Sequence, residues 1–228
     1  MEDFCPYVQG ERCKLTKANI KEDEEFFKNN CSSSDYLKKC PYLTRKIYAA
    51  KTYHFIGKSR SCPYICEDKC DVTSYQICKK HKSFYDDTCC TSRYYDKCSY
   101  FYDKVIKIKP NRYFKPAYCC PYLVNEFCEL RQVNMYEKNR TFYRHTCTTS
   151  HYHKQCPYYL EKIEKLRYKH YGKVYDCCIY KDGDWCKLRK IKIKDSCRDF
   201  YEYACCKKNY IRCCPHYVEA SYRKKKDK

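Results

Sequence analysis

Cys120-Pro-Tyr-Leu-Val-Asn-Glu-Phe-Cys128 opens a frame that runs on through Phe142-Tyr143 to Cys147 and closes at Cys156-Pro-Tyr158. Its spacing is C-x7-C-x18-C-x8-C, and the 228-residue chain carries it four times. Cys5, Cys13, Cys31 and Cys40 form the first copy, with x17 in the middle gap. Cys62, Cys70, Cys89 and Cys98 form the second, and Cys178, Cys186, Cys205 and Cys214 the fourth. The opening cysteines advance by 57, 58 and 58 residues. Leu15, Val72, Leu130 and Leu188 each stand two after the second cysteine, while Phe26-Phe27, Phe84-Tyr85, Phe142-Tyr143 and Phe200-Tyr201 stand four or five before the third. Agreement at a nearly fixed period marks a tandem repeat protein.

The period sets domains at 1–57, 58–115, 116–173 and 174–228, the last with a basic tail. A module of this size buries only roughly 60% of its unfolded surface and needs staples. The expected fold is therefore a small disulfide-rich α+β module, each copy with short strands and a short helix. Gly is scarce at 4, which argues for some regular structure, and 29 Tyr supply much of the apolar area. The charge of +20, from 48 Lys+Arg against 28 Asp+Glu, predicts attraction to an acidic protein, glycan or nucleic-acid surface. No run of apolar residues is long enough to span a membrane.

Four cysteines per copy supply either two disulfides or one structural zinc site. The start at Met1-Glu-Asp-Phe-Cys5 shows no signal peptide, which favours reduced thiols and zinc bound by the frame cysteines. Against zinc, the frame has no tight C-x2-4-C knuckle, and eight further cysteines stand beside it: Cys66, Cys78, Cys90, Cys119, Cys177, Cys197, Cys206 and Cys213. The even total of 24 allows every cysteine to pair, so disulfides without a cofactor are the primary expectation and zinc the alternative. The second and third copies hold seven and five cysteines, so one bridge between them restores parity. Cys90 and Cys119 flank frame cysteines and are the expected pair, with Cys66 or Cys78 as rivals for the bridging role.

Along the chain, Cys13 to Ile20 alternates like a short strand, and Glu22 to Asn30 reads as a short helix or turn. Ser32 to Asp35 supplies N-cap residues for a turn over Tyr36–Cys40, which Pro41 is expected to end or kink. The Thr44–Ser61 stretch reads as a solvated connector. Val105 to Lys109 alternates and stops at Pro110, as an edge strand does. His151 and His153 offer metal ligands in the third copy only, so exposed polar residues are the expectation there. Asn30-Cys-Ser32 and Asn139-Arg-Thr141 are N-glycosylation triplets, meaningful only in the secretory pathway. Tyr158 to Tyr168 reads as an amphipathic helix. Lys187-Leu-Arg-Lys-Ile-Lys-Ile-Lys194 alternates, so a strand there would line up cations. Lys187, Arg189, Lys190, Lys192 and Lys194, with Arg223, Lys224, Lys225 and Lys226 of the tail, are the expected anion-binding residues.

The chain has no G-x-S-x-G, no Gly-rich phosphate loop, no H-E-x-x-H and no C-x-x-C. What repeats is cysteine and aromatic residues, so neither an enzyme nor a small-molecule substrate is expected.

The frame resembles the cysteine-rich multigene-family 110 proteins of African swine fever virus. These carry a similar cysteine spacing and a segment like Ser92-Arg-Tyr-Tyr-Asp-Lys-Cys98-Ser-Tyr100, and the extra Cys66 has a counterpart in kind. The resemblance covers each copy but not the linkers. It implies a virus-encoded, disulfide-bonded, host-modulating protein, secreted or held in the ER lumen. Family members begin with a signal peptide and hold one or two copies. This chain departs on both points, which keeps an intracellular, zinc-stabilised protein binding nucleic acid through Lys/Arg and Tyr as the alternative.

Overall fold

A computed structural model describes residues 5–33, 35–53, 56–109, 111, 113–166 and 174–226. It is a mixed fold of short helices and small antiparallel sheets. The chain divides into two compact units, one of Met1–His54 with Arg60–Lys107 and one of Phe55–Ser59 with Ile108–Lys228. The first unit holds the first two copies of the cysteine frame, and the second holds the last two.

Each frame begins with a hairpin that the second cysteine closes. Val8 faces Cys13, Ile65 faces Cys70, Leu123 faces Cys128 and Lys181 faces Cys186, with a two-residue loop each time. The first loop residue takes a left-handed backbone: Gly10, Glu67, Asn125 and Gly183 have φ of 61°, 53°, 54° and 52°. A second left-handed residue follows the second cysteine by four: Lys17, Ser74, Gln132 and Lys190, at 66°, 58°, 58° and 55°. Left-handed non-glycine residues are uncommon, so two fixed positions account for all of them among the described residues. The turn at Lys190 breaks the alternating run Lys187–Lys194. Instead of one strand it gives a turn, the strand Ile191–Lys192 and the helical turn Ile193–Ser196. Likewise only Arg12–Cys13 of the first copy is strand before Lys17 turns the chain.

The middle gap holds the helical segment. In the first copy Asp23 caps Glu24–Asn30, its side chain accepting from the Phe26 amide at 3.1 Å. In the other three copies the segment passes into a π-helical turn, Tyr85–Cys89, Tyr143–Cys147 and Tyr201–Cys205. The buried phenylalanine, Phe27, Phe84, Phe142 or Phe200, always lies fourteen residues after the second cysteine. The extra residue of the x18 gap therefore falls between that ring and the third cysteine. The wider turn absorbs it there, as π-bulges do.

The turn Tyr36–Lys39 ends at Cys40, just before Pro41 as expected, but Pro41 also starts a helix: Pro41–Tyr53 fills most of the expected connector and buries Leu43, Ile47 and Ala50. Proline suits a first helical turn because its missing N–H has no partner there. Pro157–Glu164 and Pro215–Lys226 begin the same way. The expected edge strand at Val105 is the end of helix Ser99–Val105, and Pro110 lies outside the described residues. Of the Tyr158–Tyr168 helix, Arg167 and Tyr168 also lie outside them.

Candidate functional site

In each copy one backbone contact brings the first and third frame cysteines together. The amide of the first donates to the carbonyl of the third at 2.9 Å in every copy: Cys5 to Cys31, Cys62 to Cys89, Cys120 to Cys147 and Cys178 to Cys205. In the first copy the two thiols are close enough to shift each other, Cys5 upward and Cys31 downward. Cys40 lies within electrostatic reach of Cys13, Cys98 of Cys70 and Cys156 of Cys128. Burial pushes the thiols of Cys98, Cys156 and Cys214 up to about 12. A buried thiol of that kind is a poor nucleophile at neutral pH. Among the described residues, no three His, Cys, Asp or Glu side chains are placed to hold a metal ion.

A ring of tyrosines surrounds each frame. Tyr36, Tyr94, Tyr152 and Tyr210, four residues before the last cysteine, are buried in all copies. The last three meet the ring three residues after that cysteine edge-on: Tyr94 on Phe101 at 4.8 Å, Tyr152 on Tyr159 at 4.8 Å and Tyr210 on Tyr217 at 4.6 Å. Such pairs add about 0.5–1.5 kcal/mol each beyond the area they bury. Two of these tyrosine hydroxyls have backbone partners, whereas that of Tyr36 is buried without one among the described residues. That of Tyr152 accepts from the Ala117 amide at 2.9 Å, and that of Tyr210 from the Tyr175 amide at 3.1 Å. This position repeats in the sequence as plainly as the phenylalanines do, and lining up the copies on their last cysteine finds it.

Cys119 is bridged to Cys197, not to Cys90. The bridge joins the third and fourth copies within the second unit, while Cys90 is an exposed free thiol of the first. The count of seven and five called for a bridge between the second and third copies. The bridge joins the third and fourth instead and leaves the second copy with its odd number, so parity did not predict it. The loop after Cys186 carries Cys197 to the segment entering Cys120, and spacing does not reveal that. Cys177 and Cys206 are exposed, Cys66 and Cys78 partly so, and Cys213 is buried.

The expected cationic strip is dispersed. Arg189 is buried, its side chain 3% exposed, with Nε 3.2 Å from Glu129 Oε1 and Nη2 2.9 Å from Oε2. His216 adds a third group, with Nε2 3.4 Å from Glu129 Oε2, so Arg189 is a structural partner and not an outward anion site. Lys187 meets Asp182 at 3.1 Å and Lys194 meets Asp184 at 3.6 Å on the surface. Lys190 and Lys192 are exposed. Arg223 is exposed on helix Pro215–Lys226, whose last turn carries Lys224, Lys225 and Lys226. The third-copy histidines face backbone: His153 Nε2 lies 2.8 Å from the Phe114 carbonyl and His151 Nδ1 3.2 Å from that of His145. Burial lowers the His153 pKa. Among the described residues, grooves of ≈300 Å³ beside Val218 and Tyr222 and ≈400 Å³ beside Leu15 and Tyr42 are lined by no Cys, Ser or His.

The sequence reading did not single out two clusters. One is Glu129–Arg189–His216, whose members are far apart in the chain. The other is Tyr136 with Arg140 and Arg144, whose guanidinium carbons lie 4.3 and 5.8 Å from the ring centroid. No family model, curated protein or solved structure matches this chain. No helix among the described residues is long and apolar enough to cross a membrane.

Proposed function

We propose that the chain is four copies of one disulfide-stapled module acting as a non-enzymatic binding protein of the secretory route or ER lumen. Its partner is an anionic surface, and its resemblance to the African swine fever virus family makes it a host-directed viral product. The observation that carries this is the repeated first-to-third backbone contact. It sets those two cysteines side by side in every copy and leaves the second and fourth as the other pair. Of three possible connectivities, this favours first-to-third with second-to-fourth in all copies. The +20 charge supplies the attraction to anions, and the stapled hairpins and tyrosine rings hold the surface that carries it.

Mass measurement of the intact chain before and after reduction, with peptide mapping, tests the reading. The expected result is two hydrogens gained per bridge opened, with Cys5–Cys31 and Cys13–Cys40 recovered as linked peptides. Frame cysteines that all alkylate in the folded, unreduced protein would refute it, as would bound metal that leaves on unfolding.

A further inference from the structure

Two positions on the helical segment, twelve and sixteen residues after the second cysteine, carry a charge pair whose sign differs between copies. In the second copy they hold Lys82 and Asp86, 3.2 Å apart, and in the fourth Arg198 and Glu202, 2.8 Å apart. The third copy holds Arg140 and Arg144 there, both exposed and neither paired with a carboxylate among the described residues. Like charges four apart on a helical face repel where an opposite pair attracts. Both arginines converge on Tyr136, and an Arg140 guanidinium N–H also donates to the Tyr136 hydroxyl. Tyr143 stands edge-on to the same ring at 5.6 Å and 88°. In the other copies the Tyr136 position is Lys21, Cys78 or Lys194.

We propose that Tyr136, Arg140 and Arg144 form an oxyanion clamp on the third copy that binds the sulfate groups of a sulfated glycan. The ring gathers two guanidinium forks within 5.8 Å of its centroid, and planar forks are suited to paired contacts with anionic oxygens. Sequence-tolerant nucleic-acid binding relies on open aromatic faces for base stacking. Here the ring is already engaged by two cations and a second tyrosine, so what the site offers is an oxyanion contact. The choice of glycan rests on the proposed secretory or lumenal location, where sulfated glycans are the polyanions encountered.

The test uses the full chain with a heparin oligosaccharide and, in parallel, a DNA duplex of arbitrary sequence. Arg144→Glu recreates the opposite-charge arrangement of Lys82–Asp86 and is expected to keep the fold. It should weaken heparin binding by about tenfold, the scale of losing a charge-assisted contact. Lys14→Glu makes the same charge change on an exposed residue of the first copy and should cost less than about threefold. Arg144→Lys keeps the charge, loses the fork and should fall between the two. Equal losses for Arg144→Glu and Lys14→Glu would reduce the site to net charge and overturn the clamp, leaving the binding-protein reading intact. A larger loss on DNA than on heparin would overturn the glycan assignment. Wild-type protein that ignores heparin would overturn the clamp and the anion-binding reading together.

Discussion

The two units hold the same pair of modules but join them differently. In the first, Tyr7 of the opening copy lies 4.7 Å from Tyr100 of the next, and its hydroxyl accepts from the Ser99 amide at 2.8 Å. In the second, Tyr122 takes the place of Tyr7 and His216 that of Tyr100, with ring centroids 4.6 Å apart. Around this contact the second unit adds the Arg189–Glu129 ion pair and the Cys119–Cys197 bridge. The corresponding residues of the first unit are Thr73, Lys14, Phe4 and His81, which cannot form either. Exposed ion pairs also cross the joint of the first unit, Lys46 with Asp103 at 2.7 Å and Lys51 with Asp96 at 2.8 Å, so what the second unit adds is a buried ion pair, a covalent bridge and a titratable histidine.

The largest test of that contrast removes the covalent part. Cys119→Ser with Cys197→Ser opens a loop spanning 78 residues. On the chain-entropy model this costs about 4 kcal/mol. Calorimetry of the double variant should show the second unit melting earlier while the first is unmoved. If both units shift together, or neither does, the bridge does not act within the second unit alone.

A smaller effect follows from His216. Burial, with Arg189 and Lys162 adding, holds its pKa down at about 3 from an ordinary 6.5. The neutral imidazole is therefore the folded form. As pH falls below 6.5 the unfolded chain takes up a proton that the folded chain refuses, so stability drops until about pH 3. The slope is at most about 1.4 kcal/mol per pH unit. Glu129 faces the ring but is already engaged by Arg189. In the first unit the acid-sensitive group is Asp87, held below its ordinary 3.8 by Lys97 and Arg93. Its contribution is lost only as pH falls below that value. Denaturant midpoints between pH 7 and 4.5 should therefore fall for the second unit before the first. His216→Tyr, which copies Tyr100, should reduce that dependence and leave the part that half-buried His153 contributes in the same direction, and an unchanged pH profile in this variant would disprove the assignment.

What the sequence revealed was the period and its contents, because cysteine and aromatic identity survive in every copy. Gly10 and Gly183 also mark the hairpin loop by type, while Glu67 and Asn125 hide the same left-handed turn behind ordinary side chains. Pro41 does stop the turn Tyr36–Lys39, but the helix it starts over the expected connector was not legible, because proline stops a preceding turn and starts a following helix equally well. Whether the helix follows depends on Leu43, Ile47 and Ala50 finding a core. Arg189 looked like part of a surface strip because alternation was counted without the turn at Lys190. Pairings between distant segments, Cys119 with Cys197 and Arg189 with Glu129, depend on how copies dock, and spacing within a copy carries no information about that.

The smallest expected effect concerns the one-residue difference between the first copy and the others. The first runs from Phe27 to Cys31 in an ordinary helical turn, whose Cys31 amide reaches the Phe27 carbonyl at 2.8 Å. The second runs from Phe84 to Cys89 through the π turn, whose Cys90 amide reaches the Tyr85 carbonyl at 3.0 Å. Deleting Asp86 gives the second copy the gap length of the first. The deletion leaves one aspartate for Asp86 and Asp87, so the loss is either the Lys82–Asp86 pair or the pairing of Asp87 with Arg93 and Lys97, largely exposed interactions worth about 0.2–1 kcal/mol each. The gain is relief of a rare backbone turn. Because Phe84 keeps its sequence distance from Cys70 and Cys89 from Cys98, neither the ring nor the frame cysteines have to change register. The net change should stay within about 1 kcal/mol, in the range of ordinary surface substitutions. Deletion of the buried neighbour Thr88 serves as the contrast, since it removes a side chain with no exposure. A first unit that unfolds on losing Asp86 would mean that the π turn is required by the fold, and that the two gap lengths are not interchangeable solutions to the same packing problem.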